Sequence, residues 1–381
     1  MTISILHDVA VSPNLARRDP GITCAYAQTT LLGDGSIVCL YRRGATKHSH
    51  DGVLVLQSSV DFGSTWSEPQ TVFDGTADNP RETIVSAGIC GTGTNGLLVV
   101  FGSALGLSEN TYIFSEAGRK LPRRVRGCVS TDSGRSWQVL PALNTGGFRR
   151  AGIAGSPFLL PDHSIGIPIE VALASGAQGT ALARCGPGKP DTDLAGLSEP
   201  VLIAGDPTGL LNLCDAHFTV LPGGEVLMLL WTFLQDGERT VPVHRSLSTD
   251  NGVTWSQPEP TAIEGQVTVP LALPSGTVIA VTNYRHVPEG IYLWTSTDSG
   301  RTWGTVPPIR LWDERNKQLA AKQEPWQHTV AAAREGVWAE LAAFTFGTPD
   351  LALLQDGSIL LTYYATLHDV THIRACRFRL D

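Results

Sequence analysis

The chain has 381 residues, of which 42% are apolar and only 17% charged, a composition that allows a large core and excludes an intrinsically disordered chain. The net charge of −8 argues against a general nucleic-acid-binding protein, which would present a basic surface. No apolar run reaches membrane-spanning length, and the first residues lack the basic and apolar regions of a signal peptide. We therefore expect a cytoplasmic protein that binds neither nucleic acid nor membrane.

Seven cysteines are scattered along the chain, and none forms a C-x-x-C pair. An odd number without motif spacing predicts neither a zinc site nor a disulfide framework. We expect reduced thiols that act as small core residues. They are Cys24, Cys39, Cys90, Cys128, Cys185, Cys214 and Cys376.

Six two-residue turns, each between two apolar runs, follow one another along the chain. They are Asp34-Gly35, Asn95-Gly96, Asp162-His163, Gly223-Gly224, Ser275-Gly276 and Asp356-Gly357. Such runs around Asn-Gly or Asp-Gly predict β-hairpins. The second turn residues are 61, 67, 61, 52 and 81 positions apart. This regular spacing predicts an all-β, six-bladed β-propeller, a fold that protects its sheet edges by radial repetition, as one domain over residues 1–381.

Three segments depart from the regular repeat. Residues 313–340 are rich in Ala, Glu, Lys and Gln, and we predict a short helical insertion there. Residues 183–200 are rich in Gly and Pro and form a degenerate part of blade 3. The strand near residues 372–379 is expected to pair with the N-terminal strand near residues 3–11, which would close the ring.

A second repeat, S-x-D-x-G-x-[ST]-W, occurs at residues 59–66, 130–137, 248–255 and 296–303. Its Ser and Asp side chains suit a tight turn held by backbone amides, and Gly suits an unusual backbone conformation. This motif is the Asp-box or BNR repeat, and the chain resembles the sialidase superfamily over its whole length. The resemblance implies a site on the face opposite the boxes, so we interpret their aspartates as structural: Asp61, Asp132, Asp250 and Asp298.

Hairpin geometry predicts two rings of residues around one channel mouth, because inner strands start and second strands end at that face. The first ring lies about ten residues before the turns and contains Tyr26, Ser86, Arg149, Arg150, Ile153, Asp215, Gln266 and Thr348. The second lies about eight residues after them and contains Arg42, Arg43, Ser103, Glu170, Trp231, Tyr284, Arg285 and Tyr364. Loops beyond the strands add His48, His50, Asp51, Arg81 and Glu82.

Compared with sialidases, some positions match and others differ. The Arg-Ile-Pro motif is replaced by Ala25-Tyr26-Ala27, so its substrate-binding Arg is absent. Asp51 corresponds to the acid/base Asp, and Arg42-Arg43 matches a basic pair common in the family. Asp215 corresponds to the Glu that partners the nucleophile, whereas Trp231 replaces the second Arg.

The remaining signature residues of blades five and six are also altered. The third Arg of the triad falls near Pro288, three residues from Arg285. The nucleophilic Tyr corresponds to Thr348, and Tyr364 on the neighbouring strand is a candidate replacement. The sialic-acid signature is therefore largely missing, although the fold and some acidic positions remain.

We therefore predict a divergent glycosidase acting on an anionic sugar, without a cofactor. Arginine forks bind carboxylates, aromatic rings stack on sugars, and paired acids cleave glycosides. The predicted catalytic residues are Asp51 as general acid/base, Asp215 or Glu170 as second carboxylate, and Tyr364. The predicted substrate-binding residues are Arg42, Arg43, His48, His50, Arg81, Arg149, Arg150, His217, Trp231, Tyr284 and Arg285.

Three alternatives remain open at this stage. A polysaccharide lyase would neutralise a uronate with Arg or metal and use His48, His50, His217 or Tyr364 to remove a proton. His48, His50 and Asp51 could also ligate a cation, although no spacing is diagnostic. A non-catalytic glycan-binding propeller is the third alternative, because fold does not imply function.

Overall fold

The computed structural model describes residues 2–153, 155–186, 197–236, 239–286, 288–312 and 345–381, with the side chain of Arg149 excepted. Within these ranges the chain forms six sheets arranged as the blades of a propeller, and only two helices, each of four residues. This confirms the predicted six-bladed architecture. The helix predicted near 313–340 lies outside the described residues.

Each blade is an antiparallel sheet of four strands or, in blade 3, five. The chain starts with β1 (Ile3–Ala10) and the helix α1 (Asn14–Arg17). Blade 1 then contains β2 (Thr23–Leu31), β3 (Ile37–Gly44), β4 (Val53–Ser59) and β5 (Gln70–Phe73). Blade 2 contains β6 (Glu82–Gly91), β7 (Leu97–Leu105), β8 (Arg123–Ser130) and β9 (Gln138–Ala142), with α2 (Glu116–Arg119) between β7 and β8.

The other four blades follow the same inner-to-outer order. Blade 3 contains β10 (Arg149–Ile153), β11 (Phe158–Leu159), β12 (Ile165–Ala172), β13 (Gln178–Cys185) and β14 (Val201–Ala204). Blade 4 contains β15 (Leu211–Val220), β16 (Val226–Leu234), β17 (Thr240–Ser248) and β18 (Glu259–Pro260). Blade 5 contains β19 (Thr268–Ala272), β20 (Val278–Tyr284), β21 (Gly290–Ser296) and β22 (Ile309–Trp312). Blade 6 contains β23 (Phe346–Leu353), β24 (Ile359–Leu367) and β25 (Val370–Leu380).

The ring is closed by strands from both ends of the chain. β1 pairs antiparallel with β25, with Ile3 opposite Leu380 and Ala10 opposite Arg374. β1 is therefore the outermost strand of blade 6. The predicted pairing of the two terminal strands is confirmed.

The hydrophobic core is divided among the interfaces between successive blades. Between blades 1 and 6, for example, Val55 packs in one cluster with Ile373. Between blades 2 and 3, Val100 packs with Ile167. All seven cysteines are buried, as expected for small core residues. This division leaves the polar ends of the inner strands to form the channel mouth.

The four Asp-boxes adopt one turn, represented by the first. The Ser59 hydroxyl accepts the Gly63 amide at 2.9 Å and donates to Asp61 at 2.8 Å. The Asp61 carboxylate also accepts the Thr65 amide at 2.9 Å. Gly63 has a φ of 82°, a conformation that favours glycine. These carboxylates are held within their own turns, as the structural interpretation of the boxes requires.

Asp350 joins blade 6 to blade 1 from a buried position. Its carboxylate accepts the Thr29 amide at 2.6 Å and the Leu351 amide at 3.0 Å. Burial nevertheless raises its pKa to about 7, against about 3.9 in an unfolded chain. The folded protein therefore holds a proton here that the unfolded chain has released.

This proton makes the stability contributed by Asp350 fall as the pH rises from about 4 to about 7. We expect Asp350→Asn to remove this part of the pH dependence, because its amide oxygen can still accept the Thr29 amide. Urea unfolding of both proteins at several pH values measures the effect. As the pH rises, the free energy of unfolding of the variant should increase relative to that of wild type. A constant difference between the two proteins across this range would contradict the assignment.

Among the described residues, no helix has the length and apolar character needed to cross a membrane.

Candidate functional site

A bulge in the inner strand marks the channel mouth in several blades. The ladders between first and second strands are interrupted at Tyr26, Arg150, Asp215 and Thr348, in blades 1, 3, 4 and 6. These four residues have φ values of 63°, 52°, 44° and 41°, which non-glycine residues rarely adopt. Bulges redirect side chains and often lie next to active sites. All four belong to the first ring predicted from the spacing of the turns.

Glu170 on β12 and Asp215 on β15 form a carboxyl pair in a recess of this mouth. Part of each side chain remains accessible, but the protein around them is dense. Burial raises the pKa of Glu170, and the Asp215 charge raises it further. Burial also raises the pKa of Asp215, although the charge of Arg285 opposes this. Gln178 holds Glu170 in place by donating from Nε2 to Oε1 at 2.7 Å.

Arginines surround the carboxyl pair on two sides. Arg285, from the end of β20, is 5% exposed and donates to the Tyr364 hydroxyl at 3.4 Å. Burial lowers the pKa of Arg123, the charge of Arg150 lowers it further, and Glu170 opposes both. Since charge effects of this kind need proximity, Arg123 lies near both Glu170 and Arg150, while Arg285 lies near Asp215.

A pair formed by Tyr26 and His48 lies on the blade 1 side of the mouth. The Tyr26 hydroxyl is 2.8 Å from His48 Nε2. Burial lowers the pKa of His48 well below its ordinary value, and Lys47 and three arginines lower it further. The edge of the Tyr26 ring meets Tyr364, with ring centroids 5.8 Å apart. The imidazole is therefore neutral near pH 7.

Arg42 was predicted to bind substrate, but its side chain is buried in the protein. It is 2% exposed and donates to the carbonyls of Ile84, Thr46 and Ser49 at 3.1, 2.6 and 2.6 Å. These bonds fix the loop that carries His48. The guanidinium thus faces the protein interior, and we assign Arg42 a positioning role instead.

Asp51 closes the same loop. Both its carboxylate oxygens accept the Ala45 amide at 3.1 Å. Burial tends to raise its pKa, but hydrogen bonds from Ser49 and Ala45 and the charge of Arg42 lower it overall. A carboxyl with a lowered pKa is ionised at neutral pH and is poorly suited to donate a proton. This environment does not favour the predicted acid role of Asp51.

Trp231 was predicted to stack on a sugar, but its side chain is 3% exposed. It packs in the interior of blade 4 with Cys214 and Phe233. Because a ring in this position offers no face to a ligand, the prediction for Trp231 is wrong.

Burial also lowers the pKa of His217 to about 4, so its enclosed imidazole is neutral.

The other predicted ligands lie at or near the mouth without a contact that assigns a role. His50 Nε2 is 3.6 Å from Glu109 Oε1, and Arg81 Nε donates to the Thr76 carbonyl at 3.1 Å. Arg43 is partly buried at the end of β3. Arg149 lies on β10, and its side chain is not described. Within the described ranges, no three His, Cys, Asp or Glu side chains converge as metal ligands.

An aromatic wall from the segment between β7 and β8, not predicted from the sequence, also borders the site. The Phe114 and Tyr112 rings meet His48 with centroids 4.9 and 5.9 Å apart. Lys47, also missed, places its Nζ 5.7 Å from the centre of the Tyr364 ring. The 67-residue spacing between the second and third turns was the available signal, since it indicates extra chain in blade 2.

Two pockets open at different positions around the mouth. One, of about 210 Å³ between blades 4 and 5, is lined by Gln266, Tyr284 and Arg285. The other, of about 420 Å³ between blades 2 and 3, is lined by Arg123 and Arg150 among others. The predicted ligands Tyr284, Arg285 and Arg150 thus border open space.

Comparisons with known proteins agree with this architecture. The BNR repeat-like domain matches residues 35–320. The fold resembles a protein of unknown function from Dyadobacter fermentans, with a TM-score of 0.75, 17% identity and coverage of 100% of this chain and 99% of that one. It also resembles the Hadza microbial sialidase Hz136 (TM-score 0.65, 13% identity, coverage 97% and 68%). A third similar structure is the intramolecular trans-sialidase from Ruminococcus gnavus (TM-score 0.63, 12% identity, coverage 94% and 94%).

No curated protein matches the sequence. At such low identities, the structural likeness establishes a shared fold and nothing about substrate. The family match spans most of the chain and includes the Asp-boxes. The chain therefore belongs to the BNR repeat-like domain family, within the sialidase-like superfamily of six-bladed propellers.

Proposed function

We propose that this protein is a glycoside hydrolase that cleaves a bond next to an anionic sugar. The observation that carries the proposal is the recessed pair of carboxyls, Glu170 and Asp215, between arginines. Two neighbouring carboxyls in a recess do not both ionise readily, so the pair retains a proton near neutral pH. One protonated and one ionised carboxyl is the state that glycoside cleavage requires.

The environments of the two carboxyls suggest their roles. Burial and the Asp215 charge both raise the pKa of Glu170. Glu170 therefore holds the shared proton and acts as general acid. Asp215 is stabilised as a carboxylate by Arg285 and acts as nucleophile or general base. The Glu170 proton passes to the oxygen of the leaving group as the bond from that oxygen to the anomeric carbon breaks. Asp215 or a water that it deprotonates forms the new bond to that carbon.

Arg285, Arg123 and Arg150 suit an anionic substrate. Their guanidinium groups provide several donors in a planar arrangement that matches a carboxylate or sulfate. Tyr364 accepts from Arg285 and orients it, which gives this residue a positioning role. The general acid first expected at Asp51 is reassigned here to Glu170.

A lyase is the second candidate, favoured by the contact of 2.8 Å between Tyr26 and His48. A neutral imidazole that meets a phenol can remove the proton next to a uronate carboxylate while an arginine neutralises that carboxylate. The bond to the leaving oxygen then breaks as a carbon–carbon double bond forms, and the proton taken up by His48 passes to that oxygen. This product differs chemically from that of hydrolysis.

Product analysis separates the two reactions. We expect the purified protein to release reducing ends from uronate or nonulosonate oligosaccharides without the ultraviolet absorbance of an unsaturated uronate. Mass spectrometry should show the addition of one water per bond cleaved. Unsaturated products that disappear in His48→Ala would overturn hydrolysis in favour of the lyase. Glycan binding without any product would contradict both reactions and leave a glycan-binding propeller.

A further inference from the structure

The pocket between blades 2 and 3 forms a basic groove beside the carboxyl pair. Its walls come from the start of β8 and from the chain around β10. Three of its lining residues are Arg123, Arg124 and Arg150, and Phe148 adds an aromatic surface. At about 420 Å³, the groove has room for a ligand group.

The arginines of the groove have different surroundings. Arg124 is compensated by Glu82, with Nη1 3.0 Å from Oε2. Arg123 donates from Nη2 to the carbonyls of Ile113 and Gly118 at 3.4 and 3.3 Å. Arg150 is exposed, and its charge acts on Arg123. The accessible positive charge of the groove is therefore centred on Arg150.

The backbone at Arg150 also carries strain. Its φ of 52° costs a non-glycine residue free energy, and it lies in the bulge between Arg149 and Gly152. The fold therefore keeps the Arg150 charge near that of Arg123. It also keeps the backbone of Arg150 in an unfavourable conformation. Such local costs are typical of ligand sites, where binding of the opposite charge compensates for them.

The pocket between blades 4 and 5 has a different chemical character. It is lined by Glu264, Gln266 and Tyr284, together with Arg285. The carboxylate of Glu264 would repel an additional anionic group in this pocket. The two pockets would therefore accept chemically different parts of one substrate, with an additional anionic group on the Arg150 side.

We propose that this groove is a subsite for the anionic group of a second sugar, adjacent to the sugar whose bond is cleaved. The inference rests on the proposed glycosidase function and adds that the substrate is an acidic oligosaccharide rather than a single capped sugar. Arg150 binds the carboxylate or sulfate of that sugar, and Phe148 offers its ring to the sugar face.

Calorimetric titration at low ionic strength tests the groove directly. The probes are inorganic sulfate and two acidic oligosaccharide sets, oligogalacturonates and heparin-derived oligosaccharides. We expect Arg150→Gln to weaken binding of both kinds of probe by about tenfold, the loss of one charge-assisted contact. The matched control is Arg135→Gln, which removes an exposed arginine from an Asp-box turn on the opposite face. Its affinities should equal those of wild type.

Two outcomes would overturn the subsite. Equal sulfate affinity in wild type and Arg150→Gln would exclude an anion site at this residue. Sulfate binding that depends on Arg150 but is displaced by no acidic oligosaccharide would assign the groove to a free inorganic anion. The Glu170→Gln protein separates this test from that of the proposed function, since it should retain oligosaccharide binding while losing turnover. If it keeps turnover, the assignment of Glu170 as general acid fails while the binding result stands.

Discussion

Asp215→Asn and Glu170→Gln should each lower turnover of an acidic oligosaccharide by about 10²–10⁴-fold, the range for removal of a positioned acid or base. Neither change removes a large side chain, and Gln178 can still contact an amide at position 170. Thermal unfolding should therefore stay close to that of wild type. Initial rates at saturating substrate, measured beside the unfolding curves, separate lost chemistry from lost structure.

The pH profile gives a second measurement of the same pair. Turnover should fall on the alkaline side as Glu170 loses its proton, at a pH above the ordinary range of a Glu because its pKa is raised. It should fall on the acid side as Asp215 is protonated, again above the ordinary range of an Asp. Glu170→Gln should abolish the alkaline limb of any residual activity.

Two other aspartates serve as comparisons. Asp34→Asn alters an exposed hairpin turn and should have no effect on turnover. Asp51→Asn should reduce turnover by less than about tenfold, since its role is to hold the loop of His48 through the Ala45 amide. Inactivity of the Asp51 variant combined with activity of both variants of the pair would return the acid/base role to Asp51.

Glu82→Ala should lower the free energy of unfolding by about 3 kcal/mol, the lower end of the cost of breaking a buried ion pair. Glu82 is 1% exposed and accepts from Ser103, Arg124 and Arg126 at 2.6, 3.0 and 3.1 Å. Its loss leaves two arginines side by side and an unfilled space. Because the guanidinium groups of Arg124 and Arg126 are partly exposed, we expect the loss of unfolding free energy to lie at the lower end of the range for buried ion pairs.

Urea unfolding with a matched surface pair checks the Glu82 prediction. Glu68 lies 3.2 Å from Arg17, and both side chains are mostly exposed. Glu68→Ala should cost less than about 1 kcal/mol, as exposed ion pairs do. Equal losses in the two variants would mean that the buried cluster contributes no more than a surface pair.

The sequence predicted the fold because its signals are local and repeated. A turn such as Asp34-Gly35 needs only its neighbours, and six turns in series leave few architectures. The same spacing placed Tyr26, Arg150 and Asp215 at the mouth. The count of about eight residues after the third turn placed Glu170 at the same mouth.

The roles of individual side chains were harder to predict, because they depend on what lies across the ring. Trp231 occupies a position that bears an Arg in sialidases, but Cys214 and Phe233 enclose it. Arg42 matches a family arginine, yet the carbonyl of Ile84 in the next blade accepts from it. The Asp-box repeat gives no information about either contact, which only the assembled propeller creates.

The inner-strand bulges have a consequence for how such proteins acquire new substrates. At Tyr26, Arg150, Asp215 and Thr348 the ladder is interrupted, and these four residues lie at the mouth. A substitution at one of these positions can change the chemistry of the mouth without repacking a blade. Reaction specificity can therefore diverge much faster than architecture, and laboratory evolution toward another glycan should begin at these four positions.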